Sequence, residues 1–208
     1  MNKQNYISEA KRAANIQINE LKKIKKIFNK SFIKAVDLIL NCKGKIIFAG
    51  IGKSGLIARK ISATFSSVGI PSFFCDPAQA LHGDMGQIEK KDILIIFSYS
   101  GNTSELTNMI KYANRYSIKI IGIASKPDSI LLKASDIKLI LPKVKESDVT
   151  GMVPTSSTSI TLLLGDCLAT TIMRQKKFSK EKFKIYHPGG NIGKALLLAK
   201  DIMLVGKK

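Results

Sequence analysis

Two histidines, one glutamate and one lysine stand where they could move protons or hold negative charge. His82 lies in His82-Gly83-Asp84 and His187 in His187-Pro188-Gly189-Gly190, short glycine-bearing loops that let a ligand approach closely. Imidazole titrates near neutrality, so either is a natural proton carrier, although a buried histidine can equally be structural. Glu146 falls in the polar loop Lys143 to Pro154, just ahead of a hydroxyl cluster, and Lys53 sits inside a glycine-containing loop. A solvated loop glutamate and a surface lysine are the plain alternatives. No HxH or HExxH spacing is present, so neither a built metal site nor metal dependence is expected.

Three loops resemble phosphate cradles. Gly50-Ile-Gly52-Lys53-Ser54-Gly55 fits GxGxxG, in which glycines allow close backbone approach and the following helix offers free N–H groups to an anion. With Asp76 at the end of the next apolar run, the string also suits a dinucleotide fold, and a mere tight turn is an equal alternative. It is not a Walker A loop, because Ile47 stands where that motif needs glycine. The second loop carries Ser98, Ser100 and Thr103 around Gly101; Asn102 and Glu105 have the spacing of a capping box, which would make Glu105 structural. The third is Thr155-Ser156-Ser157-Thr158-Ser159, where one hydroxyl would suffice for capping. Three hydroxyl-bearing helix starts suit a small phosphorylated polyol better than a dinucleotide.

The elements that must position these groups follow from periodicity. Asn2 to Asn29 lacks Gly and Pro and predicts one long amphipathic helix, followed by a second over Ser31 to Cys42. Short apolar runs at Lys45–Gly50, Pro71–Cys75, Ile93–Phe97, Ile118–Ala124 and Ile137–Leu141 then alternate with helical stretches at Ser54–Val68, Thr103–Tyr116 and Ser129–Ala134. A long helix opens at Thr155 and runs to about Arg174. Unbroken apolar strands between helices mean a parallel sheet covered on both faces. The expected fold is a doubly wound α/β sandwich of five strands, residues 43–208, with helices in residues 1–42 packed on it.

Composition narrows the partners. The 208 residues are 45% hydrophobic, enough for a real core, and no apolar run is long enough to span a membrane. The net charge of +19 would ordinarily point to nucleic acid, yet only four of the 34 basic residues are arginine and the lysines are dispersed. A general attraction for anionic substrates is the better reading, with no nucleic-acid or membrane partner. Three scattered cysteines without CxxC fit reduced thiols in a cytoplasmic protein.

GIGKSG, SYSGNTSE and PTSST together resemble the sugar isomerase (SIS) domain, and FFCDPAQALHGDMG, KVKES and HPGGNIG resemble its D-arabinose 5-phosphate isomerase branch. The resemblance covers roughly residues 5 to 205. It implies interconversion of D-ribulose 5-phosphate and D-arabinose 5-phosphate without a cofactor, supplying the 3-deoxy-octulosonate sugar of lipopolysaccharide. It also implies a homotetramer whose shared sites take His187 or His82 from a neighbour. By the same resemblance Lys53, Glu105, Glu146, His82 and His187 would be catalytic, and Gly52, Ser54, Ser98, Ser100, Thr103, Thr155 and Ser156 would hold the substrate. On the chemistry of an enediol intermediate, Glu146 would carry the C1/C2 proton and His187 would act on the oxygen side. Lys53 and Glu105 would orient hydroxyls and stabilise charge, and the roles of the two glutamates are exchangeable.

Ser147-Asp148-Val149-Thr150 departs from the Cys-Pro-containing segment usual in that branch. Typical members also continue past Asp201-Ile202-Met203 into paired CBS modules, which this reading expects to be lacking. The rival expectations are another SIS isomerase of the 3-hexulose-6-phosphate type, a non-catalytic sugar-phosphate sensor, and a nucleotide-cofactor enzyme resting on GxGxxG and Asp76.

Overall fold

The apolar runs form β1 (Ile46–Gly50), β2 (Ser72–Phe74), β3 (Ile93–Phe97), β4 (Lys119–Ala124) and β5 (Ile137–Ile140). All pair in parallel, in the order β2-β1-β3-β4-β5. The computed structural model describes residues 3–187. Both β1 and β3 are buried along their whole length, which is why they read as unbroken apolar runs rather than alternation.

Successive side chains on β1 serve opposite faces. Ile46 and Phe48 pack with helices α2 (Lys30–Leu40), α3 (Gly52–Ser67) and α7 (Ser156–Gln175). Ile47 and Ala49 pack with α4 (Pro77–Ala80), α5 (Thr107–Arg115) and α6 (Ile130–Ala134). Burying each large apolar side chain contributes about 1.5–3 kcal/mol, so both helical layers are held to the sheet. A doubly wound α/β sandwich results.

The N-terminal segment differs from the single helix expected over Asn2–Asn29. Helix α1 (Lys3–Leu21) gives way to a 3-10 segment over Lys22–Ile27. Four lysines crowd that stretch, and like charges three and four apart disfavour an α-helix. The tighter coil instead eclipses positions three apart, which puts Ile24 and Ile27 together on the core side, both buried. Asn29 then starts α2, its side-chain oxygen accepting the Ser31 N–H at 2.8 Å. The predicted helix over Thr103–Tyr116 is likewise split, a 3-10 turn at Ser104–Leu106 preceding α5. A further helix, α8 (Lys180–Tyr186), follows α7. Residues 188–193 of the glycine-rich loop and the 201–203 segment lie outside the described residues.

The strand order has one consequence for ligands. β1 and β3 are neighbours, and the chain leaves them for opposite faces, α3 on one side and α5 on the other. In an open α/β sheet a crevice forms at that divergence, outside the carboxyl ends of the strands. The GxGxxG glycines serve it directly: a Cβ on Gly55 would lie 2.6 Å from the Gly50 carbonyl oxygen. Only glycine lets the first turn of α3 sit this close to the end of β1. Among the described residues no helix is long and apolar enough to cross a membrane.

Candidate active site

A cavity of about 450 Å³ occupies this crevice. Lys53 and Ser54 line it from the first turn of α3; Ser98, Ser100 and Thr103 line it from the loop after β3; Glu146 reaches it from the loop between β5 and α7. Groups expected from three separate loops are therefore brought into one space.

The loop after β3 is shaped by its own hydroxyls. Ser98 Oγ lies 2.8 Å from Thr103 Oγ1 and accepts the Gly101 N–H at 3.0 Å, while Ser100 Oγ accepts the Asn102 N–H at 3.3 Å. The Asn102–Glu105 capping box does not form. Asn102 Oδ1 instead accepts the Ile130 N–H at 2.9 Å, tying the loop to α6. α3 has no side-chain cap at its N-terminus, so its first N–H groups face the crevice without an internal acceptor, the arrangement that binds anions.

The start of α7 is different, because Glu146 occupies it. Glu146 Oε2 accepts the Thr155 N–H at 2.7 Å, the Thr155 hydroxyl at 2.8 Å and the Ser157 N–H at 3.3 Å. Burial pushes this carboxyl up, but hydrogen bonds from the Ser157 hydroxyl and from both Thr155 donors outweigh it. The net position is below the ordinary glutamate value. Glu146 is thus held ionised and oriented at the head of α7. The Thr155–Ser159 cluster, expected as a third phosphate cradle, is served at its entrance by the protein's own carboxylate. Thr155 stands behind Glu146, and Ser156 is fully buried, its hydroxyl without a hydrogen-bond partner among the described residues. Neither lines the cavity.

Glu105, His82 and His187 also lie off the cavity wall. Glu105 is exposed on the 3-10 turn before α5; its own backbone N–H and the Ser104 hydroxyl at 2.8 Å hold its carboxyl low. His82 is exposed in the turn after α4, and α4 packs against the turn bearing Glu105, on the same edge of the sheet as the cavity. His187 lies elsewhere. Its ring stacks on Phe183 with centroids 3.8 Å apart, and Nδ1 is 2.8 Å from the Phe183 carbonyl oxygen. The adjacent Tyr186 lies against Gly69, just past the C-terminal end of α3. Lys53 is at the opposite end of that helix, about 24 Å away at 1.5 Å per residue.

Asp76 caps α4, accepting the Ala78 N–H at 3.0 Å, which accounts for its acidic side chain without a ribose. No cluster of three or more His, Cys, Asp or Glu side chains suited to a metal occurs among the described residues.

Sequence reasoning missed Tyr99. It lines the cavity between the two cradle serines, and its hydroxyl accepts the Val144 N–H at 2.9 Å and donates to the Pro142 carbonyl at 3.3 Å. It thereby joins the loop after β3 to the loop carrying Glu146. Burial pushes the phenol above its ordinary value, keeping it a neutral donor.

Known proteins share both sequence and shape. The chain is 41% identical over 187 residues to the arabinose 5-phosphate isomerase KdsD of Escherichia coli K12 and 38% identical over 203 residues to that of Pseudomonas aeruginosa. These matches cover 89% and 97% of this chain but 57% and 62% of the relatives, so it spans about three fifths of their length. An E. coli CFT073 protein solved in complex with arabinose 5-phosphate superposes with a TM-score of 0.87 at 32% identity, over 90% of this chain and all of that one. The SIS domain profile matches residues 39–171, the sheet and the loops that form the cavity. The chain belongs to the SIS-domain family.

Proposed function

We propose that this protein interconverts D-ribulose 5-phosphate and D-arabinose 5-phosphate through an enediol. The observation that carries the reading is the convergence of Lys53, Ser98, Ser100 and Glu146 on one cavity at the β1/β3 divergence. The arabinose 5-phosphate bound by a structural neighbour and the names of the KdsD relatives support the choice of sugar. The phosphate anchors on the hydroxyls of Ser98, Ser100 and Thr103, with the uncapped start of α3 adding N–H donors. This leaves the carbonyl end toward Glu146 and Lys53.

Starting from the ketose, ionised Glu146 takes the C1 proton while the C2 carbonyl oxygen gains a proton, giving the enediol. After exchange with solvent, the carboxyl delivers a proton to C2, and O1 loses its hydrogen to form the aldehyde. Lys53 offsets the charge developing on oxygen. His187 is the oxygen-side acid–base of a neighbouring copy, which is why it need not reach the cavity of its own chain. His82 and Glu105 act at the rim. The assembly is then a homotetramer with shared sites, serving lipopolysaccharide synthesis in the cytoplasm.

Incubation with ribulose 5-phosphate in heavy water tests the reaction. The expected product is arabinose 5-phosphate carrying deuterium at C2, seen by NMR. Absence of isomerisation, or product without solvent deuterium across a time course, would sink the substrate or the proton-transfer route respectively.

A further inference from the structure

We propose that the N-terminal helix belongs to the catalytic apparatus, with Gln17 as a positioning residue for Glu146. From α1, Gln17 reaches two segments 130 and 142 residues away in sequence: Nε2 donates to Ser147 Oγ at 3.3 Å, and Oε1 accepts from Ser159 Oγ at 3.0 Å. Ser147 is the residue after Glu146 and is only 4% exposed. Its N–H donates to Thr155 Oγ1 at 2.9 Å, and that hydroxyl in turn donates to Glu146 Oε2 at 2.8 Å. A path thus runs from α1 to the carboxylate, by hydrogen bonds joined through the covalent frame of Ser147.

A carboxamide suits this post because one rigid plane presents both a donor and an acceptor. Gln17 uses the donor on the loop and the acceptor on the first turn of α7, so it fixes the loop relative to the helix that Glu146 caps. The same N-terminal segment holds the loop's beginning, where Lys23 Nζ donates to the Lys143 carbonyl oxygen at 3.3 Å. The catalytic consequence rests on reading Glu146 as the proton carrier; the clamp itself does not.

Gln17→Leu keeps the side-chain volume and removes both bonds, and amide exchange followed by NMR reads the result residue by residue. Exchange at Ser147 and Thr155 is expected to quicken about tenfold while the amides of β3 and the middle of α7 keep their protection. With arabinose 5-phosphate, kcat is expected to fall about tenfold with KM within about twofold, and the acid limb of the rate profile to move to higher pH. Adding Ser147→Ala should cost little more, since both changes cut one path. Unchanged exchange at Ser147 and Thr155, protection lost throughout β3 and α7, or fully additive losses would each overturn the proposal. Failure of the unaltered protein to isomerise arabinose 5-phosphate would instead remove the functional reading and leave the exchange result to decide the role of Gln17.

Discussion

Glu146 Oε2 lies 2.7 Å from the backbone nitrogen of Thr155, so the glutamate in the cavity wall is also the cap of α7. Its carboxyl is held below the ordinary glutamate value. The resulting stabilisation is complete above that ordinary value and is lost as pH falls through the lowered folded one. Glu146→Gln should reduce kcat by about 10²–10⁴-fold, the usual contribution of a positioned base. Its stability deficit should shrink as pH is lowered toward the acid range. Initial rates and denaturant unfolding at neutral and acid pH check both; near-native turnover would remove Glu146 as the base.

Thr155 supplies two of the bonds that keep Glu146 ionised. Thr155→Val removes the hydroxyl and leaves the backbone donor, so the carboxyl should move upward toward its unperturbed position. The acid limb of kcat/KM is then expected at higher pH than in the unaltered protein, with the alkaline limb unmoved. A profile measured across the acid range decides it.

Lys53 reaches the cavity from the uncapped turn of α3. Hydrogen bonds to charged groups contribute about 1.5–3 kcal/mol, so Lys53→Met should weaken kcat/KM by roughly ten- to a hundredfold. Thermal stability should change little, since the side chain is exposed. A loss of activity matched by a large drop in melting temperature would point to a structural lysine instead.

Gly165 marks the crossing of α7 over α3. A Cβ there would lie 2.1 Å from Ile61 Cδ1 and 2.6 Å from its Cγ1. Gly165→Ala should therefore cost about 1–3 kcal/mol, the usual range for overpacking. Ile61→Val deletes the Cδ1 methyl and should recover part of that loss in the double variant, measured by chemical denaturation. Additive losses would place the strain elsewhere.

The sheet was legible because buried parallel strands have a single requirement, continuous apolarity, and the runs at Lys45–Gly50 and Ile93–Phe97 met it almost to the residue. The cradle loops were legible because glycine and hydroxyl residues have few other reasons to cluster at helix starts. Other features depended on distant partners. Asn102 looked local, paired with Glu105, until α6 offered it the Ile130 N–H. Tyr99 sat in a spacer position, and only the return of the loop at Pro142 gave its hydroxyl work to do. Gln17 had no signal at all, since its partners come from the far end of the chain. The break at Lys22 was readable from charge crowding, but helical spacing of the apolar residues masked it.

The vestibule outside the carboxyl ends of β1 and β3, walled by α3 and the start of α7, is a by-product of how the chain winds: two adjacent strands send their successors to opposite sides of the sheet. Tailoring of the segments around the mouth can therefore proceed while the interior that makes the chain fold stays untouched, leaving ligand preference and foldability free to drift apart.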